Sequence, residues 1–324
     1  MFIELLRSVG GTWSGYLYGA ALCGILEMLL PAEKQSRWSW LRGAAFTFVS
    51  LAAAVAVTSA ITSQMSSLGW KPLLSLDLAG TIDSPNPLVV VLGYTLVPML
   101  GLFLYDVGYY WFHRLQHTLP LLWRYHAVHH SIEELNAFNA YHHVSEYVWR
   151  VPLLTIPLNI LFEVSEPQVV IIATMLHAVG VLAHSNVRLG FGPMRYLFVE
   201  PRFHRIHHSV EQQHWNRNYS FYFPILDILF GTAHFPKPGE FPRTGVCYIR
   251  EPHNLKAFFF PPRPPKTPAM AQPSPHPLNR ACLQVRAASR AGLTSLLRRP
   301  TRTLGKGFKP SARAGTDVFQ HKKT

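Results

Sequence analysis

Apolar residues run through this chain in long unbroken blocks, not in the narrow stripes of a soluble amphipathic fold. The first block extends from about Trp13 to Pro31 and the second from about Leu41 to Ser63. Each approaches the ~20 residues needed to cross a hydrocarbon core. A third block, Pro87 to Phe112, would reach roughly 39 Å as a helix, enough to span and emerge on the far side. A fourth apolar region, Val148 to Ala183, is broken by Pro152, Pro157, Glu163, Glu166 and Pro167. It reads as two shorter helices forming a hairpin. The pattern predicts an all-α integral membrane protein with four or five transmembrane helices.

Loop charges set an expected orientation. Lys34, Arg37 and Arg42 lie between the first two blocks, whereas Gln64 to Asn86 carries only Lys71 among basic residues, beside Asp77 and Asp83. The first loop should therefore be cytoplasmic, and the third helix should deliver the residues after Phe112 to the cytoplasmic face. The N-terminus lacks a strongly basic leader and a convincing cleavage site, so the first block reads as an uncleaved span. Which membrane holds the chain, plasma membrane or endoplasmic reticulum, is open at this stage.

Composition agrees with a membrane protein: 48% of the 324 residues are hydrophobic and 15% are charged, against roughly 25% charged in soluble domains. The net charge of +13 belongs mostly to one end. Thirteen of the 30 basic residues lie between Arg263 and Thr324, with Asp317 the single acidic residue there. They are scattered among Pro, Ala and Ser, which argues against nucleic acid as a partner. The chain thus divides into three regions: N-terminal membrane helices and external loop over 1–86, a catalytic region over 87–260, and a Pro-rich basic tail over 261–324, read as disordered. Cys23, Cys247 and Cys282 fall at no motif spacing and suggest incidental thiols.

The chemistry sits in the histidines. Of 17, 12 lie between His113 and His208. His113 and His117 are spaced i, i+4; His126, His129 and His130 are spaced i, i+3, i+4; His204, His207 and His208 repeat that spacing. On helices these spacings stack imidazoles on one face, and neutral imidazole is the commonest side-chain ligand for intermediate transition metals. A lone histidine on an apolar helix is more often a satisfied core residue. Three such groups within a hundred residues instead offer eight nitrogens, too many for one ion and economical for two.

At these residues the sequence resembles the fatty acid hydroxylase / sterol desaturase superfamily. The matching text is Asp106-Val-Gly-Tyr-Tyr-Trp-Phe-His113-Arg-Leu-Gln-His117, His126-Ala-Val-His129-His130-Ser131, His184-Ser-Asn186, Pro201-Arg-Phe-His204-Arg-Ile-His207-His208-Ser209, Asn218-Tyr219 and Asp227-Ile-Leu-Phe-Gly-Thr232. It covers roughly Pro87 to Pro236. The resemblance implies a four-helix membrane base under a cytosolic histidine-rich helical cap that holds two iron ions. It also implies O2 as co-substrate, a lipid as substrate, and electrons from a separate protein of the cytochrome b5 or ferredoxin kind. The eight motif histidines would be ligands, joined by His184 and by His143, which lies in a segment similar to the family's R-x-H-x-x-E. Two positions depart from the pattern: Tyr141 stands where Arg is expected and Leu226 where Trp is common. His142 and His177 have no family counterpart.

Metal-bound histidines usually donate their second N–H to a carboxylate or carbonyl. Asp106, Glu146 and Asp227, with Asn186 beside His184, are the expected supporting residues, while Glu133 and Glu134 read as surface charge. Tyr105, Tyr109, Tyr110, Trp111 and Phe112 read as an interfacial aromatic belt, with a substrate entrance as the alternative. Lipid hydroxylation is the leading function and desaturation its close sibling, since both begin with hydrogen abstraction. A membrane metal or haem carrier would want histidines inside the spans. A zinc hydrolase would want an HExxH, which is missing.

Overall fold

The computed structural model describes residues 2–71, 73–75, 83–163 and 166–263. The basic tail from 264 onward, including Cys282, lies outside the described residues. Helices dominate: α1 (Phe2–Leu29), α2 (Arg37–Ser67), α3 (Pro87–Thr118), α4 (Pro120–His130), α5 (Glu146–Arg150), α6 (Ile156–Leu161), α7 (Glu166–His184), α8 (Pro201–His207), α9 (Ile225–Leu229) and α10 (Leu255–Phe259). Strand structure among the described residues is a two-residue parallel pairing of β1 (Leu74–Ser75) with β2 (Phe162–Glu163), Leu74 opposite Phe162.

Helix starts follow local chemistry. The Ser36 side chain accepts from Trp38 N at the head of α2, and Asn86 accepts from Leu88 N at the head of α3. Pro87, Pro120 and Pro201 open α3, α4 and α8, where a missing N–H costs nothing. The apolar region after Val148 folds as α5, a π-helical turn Val151–Thr155 containing Pro152, and α6, then returns as α7.

Among the described residues, two helices, Arg37–Ser67 and Pro87–Thr118, are long and apolar enough to cross a membrane; Gly15–Leu29 and Ile171–His184 are shorter apolar helical stretches. Only 22% of the apolar window in each long helix is buried. Their outward faces, including Phe48, Leu88, Val91, Leu96 and Leu100, are therefore exposed apolar surface that a lipid phase would cover. α3 runs six residues further than its apolar block, to Thr118, because Arg114 and Gln116 prolong it as a polar overhang. At 32 residues it measures about 48 Å. A ~30 Å hydrocarbon core would leave its last turns in the aqueous layer, and those turns carry His113 and His117.

α1 packs on α7 through Tyr16, Ala20, Cys23 and Val181, with Ala137 between them. A second cluster joins α2, α4 and α10 through Phe46, Trp123, Val128, Tyr141 and Phe258, the Phe46 and Phe258 rings stacking at 4.9 Å. α2 approaches the 136–139 loop so closely that a Cβ on Gly43 would lie 2.5 Å from Asn139 Cβ. Cys23 is a buried free thiol.

Candidate metal centre

Three of the elements deliver histidines to one place. The α3 overhang contributes His113 and His117, α4 contributes His126, His129 and His130, and α8 with its C-terminal residue contributes His204, His207 and His208. His184 arrives from the last residue of α7. The nine form two groups. His113, His117, His126, His130 and His207 bring one ligand atom each within 4.8 Å of one another, and His129, His184, His204 and His208 do the same. The groups adjoin: the His130 and His208 rings stack at 4.5 Å. Eight of the nine side chains are buried, and His117 is half-buried.

The outer nitrogens are tied to acceptors. His113 Nδ1 donates to Tyr219 O (2.8 Å), His129 Nδ1 to Tyr141 O (2.9 Å), His184 Nδ1 to Gly180 O (2.7 Å) and His207 Nδ1 to Arg217 O (2.7 Å). His126 Nδ1 donates to the Glu146 carboxylate (3.1 Å). A carbonyl or carboxylate oxygen only accepts, so each of these Nδ1 atoms carries the proton and each Nε2 presents a lone pair inward. The consequence is unfavourable without a cation. His113 Nε2 faces His126 Nε2 at 3.0 Å in the first group, and His129 Nε2 faces His184 Nε2 at 3.3 Å in the second. His117 Nε2, His130 Nε2, His207 Nε2 and His208 Nδ1 are buried with no hydrogen-bond partner among the described residues. An orphaned buried nitrogen costs about 1–3 kcal/mol. A metal ion in each group removes the facing of lone pairs and partners the Nε2 atoms of His117, His130 and His207, and the all-imidazole donor set suits iron, zinc, copper or nickel.

Burial, reinforced by neighbouring imidazoles, pushes His129, His130, His204 and His208 well below the ordinary histidine range, and His207 to about 3. The rings are therefore neutral at pH 7, the form that binds metal. Burial works to raise the Glu146 carboxyl, but His142 and His126 beside it hold it well below its usual range.

Glu146 stands among the histidines. Its Oε2 accepts from Gln116 Nε2 (2.5 Å), His126 Nδ1 and His142 Nδ1 (3.2 Å). The other supporting residues act one step further out. Asp106, fully buried on α3, accepts the backbone N–H groups of Phe221, Tyr222 and Phe223 at 2.7, 3.1 and 2.6 Å. Asp227 accepts from Tyr219 N, Ser220 N and Thr232 Oγ1. Together they fix the 219–223 segment, whose Tyr219 carbonyl holds His113. Asp106 thus touches no histidine and acts by control of a loop. Asn186 likewise touches no ligand: it exchanges hydrogen bonds with the Glu33 backbone, and its own N–H, like that of Ala137, donates to Glu27 Oε1 (both 2.7 Å). Glu27, on α1, thereby pins the turn after His184.

The structure does not bring His143 into either group. Its Nδ1 meets Ser145 Oγ (2.7 Å) and its Nε2 donates to Phe259 O (3.2 Å), while the ring packs by Tyr125 and Phe258. His142 points inward instead, stacked on His129 at 3.9 Å and bonded to Glu146. Its i, i+4 spacing to Glu146 was the available signal. Gln116, between His113 and His117 on α3, is legible in the same way; the accepting carbonyls are not. Tyr109 and Tyr110 are buried, not a surface belt. Tyr109 lies against His113 and Phe221 at 5.2 Å each.

Comparison with known proteins agrees with this geometry. The fatty acid hydroxylase family profile matches residues 98–232. Over 233 residues the chain is 31% identical to the ornithine lipid hydroxylase OlsE of Rhizobium tropici, covering 68% of this chain and 66% of that protein. It is 30% identical over 127 residues to the alkylglycerol monooxygenase of Danio rerio (39% and 28%) and 31% identical over 152 residues to Protein CER1-like 2 of Arabidopsis thaliana (44% and 24%). The chain thus spans just under two thirds of the first relative and about a quarter of the others. No solved structure matches.

Proposed function

The chain belongs to the fatty acid hydroxylase family, and from that premise we propose that it is a membrane-bound, O2-dependent di-iron hydroxylase acting on a C–H bond of a lipid. One observation carries the reading: nine imidazoles in two adjoining buried groups, with inward nitrogens that face one another or nothing. Relatives named for lipid hydroxylation and alkylglycerol monooxygenation supply the substrate class.

When bound, a pair of iron ions supplies the activation of dioxygen and the oxidising power to break an unactivated C–H bond. The chain's own residues do the rest. The five Nδ1–H groups tied to Tyr219 O, Tyr141 O, Gly180 O, Arg217 O and Glu146 fix ring orientation and tautomer, so that Nε2 serves as the ligand atom. Glu146 adds negative charge beside His126 and makes that ring a better donor. Tyr105, Tyr109 and Phe221 form an aromatic wall against His113, which would admit an apolar chain and exclude water. The histidine groups, carried on the α3 overhang, would lie at the cytoplasmic membrane surface, where a separate donor protein would deliver electrons.

Metal content of detergent-purified protein, beside that of a His207→Ala, His208→Ala double variant, tests the centre. About two irons per chain are expected, falling sharply in the variant. Incubation with lipid panels under O2 and under argon then tests the chemistry. Hydroxylated product formed only with O2 supports the proposal; an unsaturated product would redirect it to desaturation. Binding indifferent to those histidines would overturn it.

A further inference from the structure

Outside the two histidine groups, a second constellation of donors lies beside Ser209. His214 sits on a short 3-10 turn, Gln212–His214, and His234 and Glu240 come after α9. Their donor atoms lie within 4.8 Å of one another. The His214 side chain is fully buried, and His234 and Glu240 are about one-fifth exposed. None of the three belongs to the motifs that build the main centre.

We propose that His214, His234 and Glu240 form a third metal site, which takes a single divalent cation of the zinc class. Both Nε2 atoms converge on one carboxylate: His214 Nε2 is 3.1 Å from Glu240 Oε1, and His234 Nε2 is 3.4 Å from Glu240 Oε2. Bonds of about 2.0–2.1 Å in a tetrahedron place neighbouring ligands roughly 3.3–3.4 Å apart, so these separations need little adjustment to admit an ion. The outer nitrogen of His214 already has the partner a metal-bound imidazole uses, with Nδ1 2.8 Å from Ser209 Oγ. With Nδ1–H donated to that hydroxyl, the Nε2 lone pair of His214 faces a carboxylate oxygen. Two acceptors then oppose each other across the space a cation would fill. Burial also holds His214 below the ordinary histidine range, in the neutral form that ligates.

The backbone around the three donors is fixed in advance. Asn218 accepts from His234 N (2.7 Å) and donates to His234 O (3.0 Å), clamping that residue on both sides. Asn216 and Asn218 both adopt left-handed conformations, at φ 57° and 60°. Gly239 turns the chain at φ 78°, and Glu240 Oε2 accepts from Lys237 N at 2.8 Å. Two neutral imidazoles and one carboxylate leave a fourth position for water, a donor set that matches zinc. An ion here would clasp the 209–218 segment to the 234–240 turn. That segment contains Arg217, whose carbonyl orients His207. An ion there would brace this segment one step removed from the main centre, with its fourth position left to water.

The alternative arrangement has Ser209 donating to His214 Nδ1 and both Nε2–H groups bonding Glu240, in which case no metal is taken up. Equilibrium dialysis of the detergent-purified full chain against buffered zinc, with metal counting afterwards, separates the two. Wild type is expected to hold about one metal ion more per chain than a His214→Ala, His234→Ala double variant, with iron unchanged in both. Glu240→Gln, which keeps shape and loses charge, should weaken zinc binding by about tenfold or more in competition with a chelator. Zinc should raise the unfolding temperature of wild type and not of Glu240→Gln. Equal metal counts and equal zinc affinity across wild type and both variants would overturn the proposal. Because iron bound by the main centre is counted separately, failure of that centre would show as missing iron and leave this result readable.

Discussion

Asp106→Asn offers the sharpest test of how the metal centre is held. The carboxylate accepts three backbone N–H groups, Oδ1 from Phe221 and Oδ2 from Tyr222 and Phe223. An asparagine amide has one accepting oxygen. Placing it on the Oδ2 side keeps two of the bonds but turns NH2 toward the Phe221 N–H. Each retained bond falls from the ~1.5–3 kcal/mol of a charged acceptor to the ~0.5–1.5 of a neutral one, a loss of about 1 kcal/mol apiece. The orphaned N–H adds about 1–3 kcal/mol. The sum, about 3–5 kcal/mol, is a large share of the ~5–15 kcal/mol that stabilises a typical domain. It falls on the 219–223 segment, which also carries the Tyr219 carbonyl that orients His113. The variant should therefore unfold at a clearly lower temperature in detergent and should lose metal from the five-histidine group, although residue 106 touches no histidine. Glu134→Gln, at a partly exposed position, serves as the control for a lost charge. An Asp106→Asn protein with wild-type metal content and an unchanged unfolding temperature would refute the argument that loop control by this carboxylate supports the site.

Removing the charge that supports His126 by Glu146→Gln should weaken metal binding by about 10–100-fold, read by competition with a chelator. His143→Ala should retain the full metal complement because that ring bonds Ser145 and Phe259 outside both groups, whereas His142→Ala should lower metal retention by withdrawing the ring stacked on His129. Comparable metal counts in those two variants would contradict the placement of the pair. Gly43→Ala would set a Cβ 2.5 Å from Asn139 Cβ and 2.9 Å from its Cα, and should destabilise the protein by about 1–3 kcal/mol in thermal unfolding. Stripping metal from the wild type should lower its unfolding temperature, since the buried Nε2 atoms of His117, His130 and His207 then lack a partner among the described residues; re-addition of iron should restore it.

Much of this protein was written locally in its sequence. Long apolar blocks fix the helices because their length and composition leave no other way to satisfy the backbone in a lipid phase. Helical spacing fixes which histidines share a face: His126 with His129 and His130, and His204 with His207 and His208. Tertiary structure decided how those faces combine. The spacing grouped histidines by helix, whereas folding splits α4, sending His126 and His130 to one group and His129 to the other, because i, i+3 and i+4 positions diverge in angle around the axis. The choice between His142 and His143 was also made in three dimensions. Adjacent residues His142 and His143 point to opposite sides, and only the packing of Phe258 and Phe259 against His143 settles which ring faces the histidine groups. The same holds for the carbonyls of Tyr141, Gly180, Arg217 and Tyr219, since every residue carries a carbonyl and no pattern of side chains marks the ones that folding brings within reach of a ring nitrogen. His214, His234 and Glu240 were invisible for a related reason: their convergence depends on turns at Asn216, Asn218 and Gly239, conformations that composition permits and only the surrounding structure enforces.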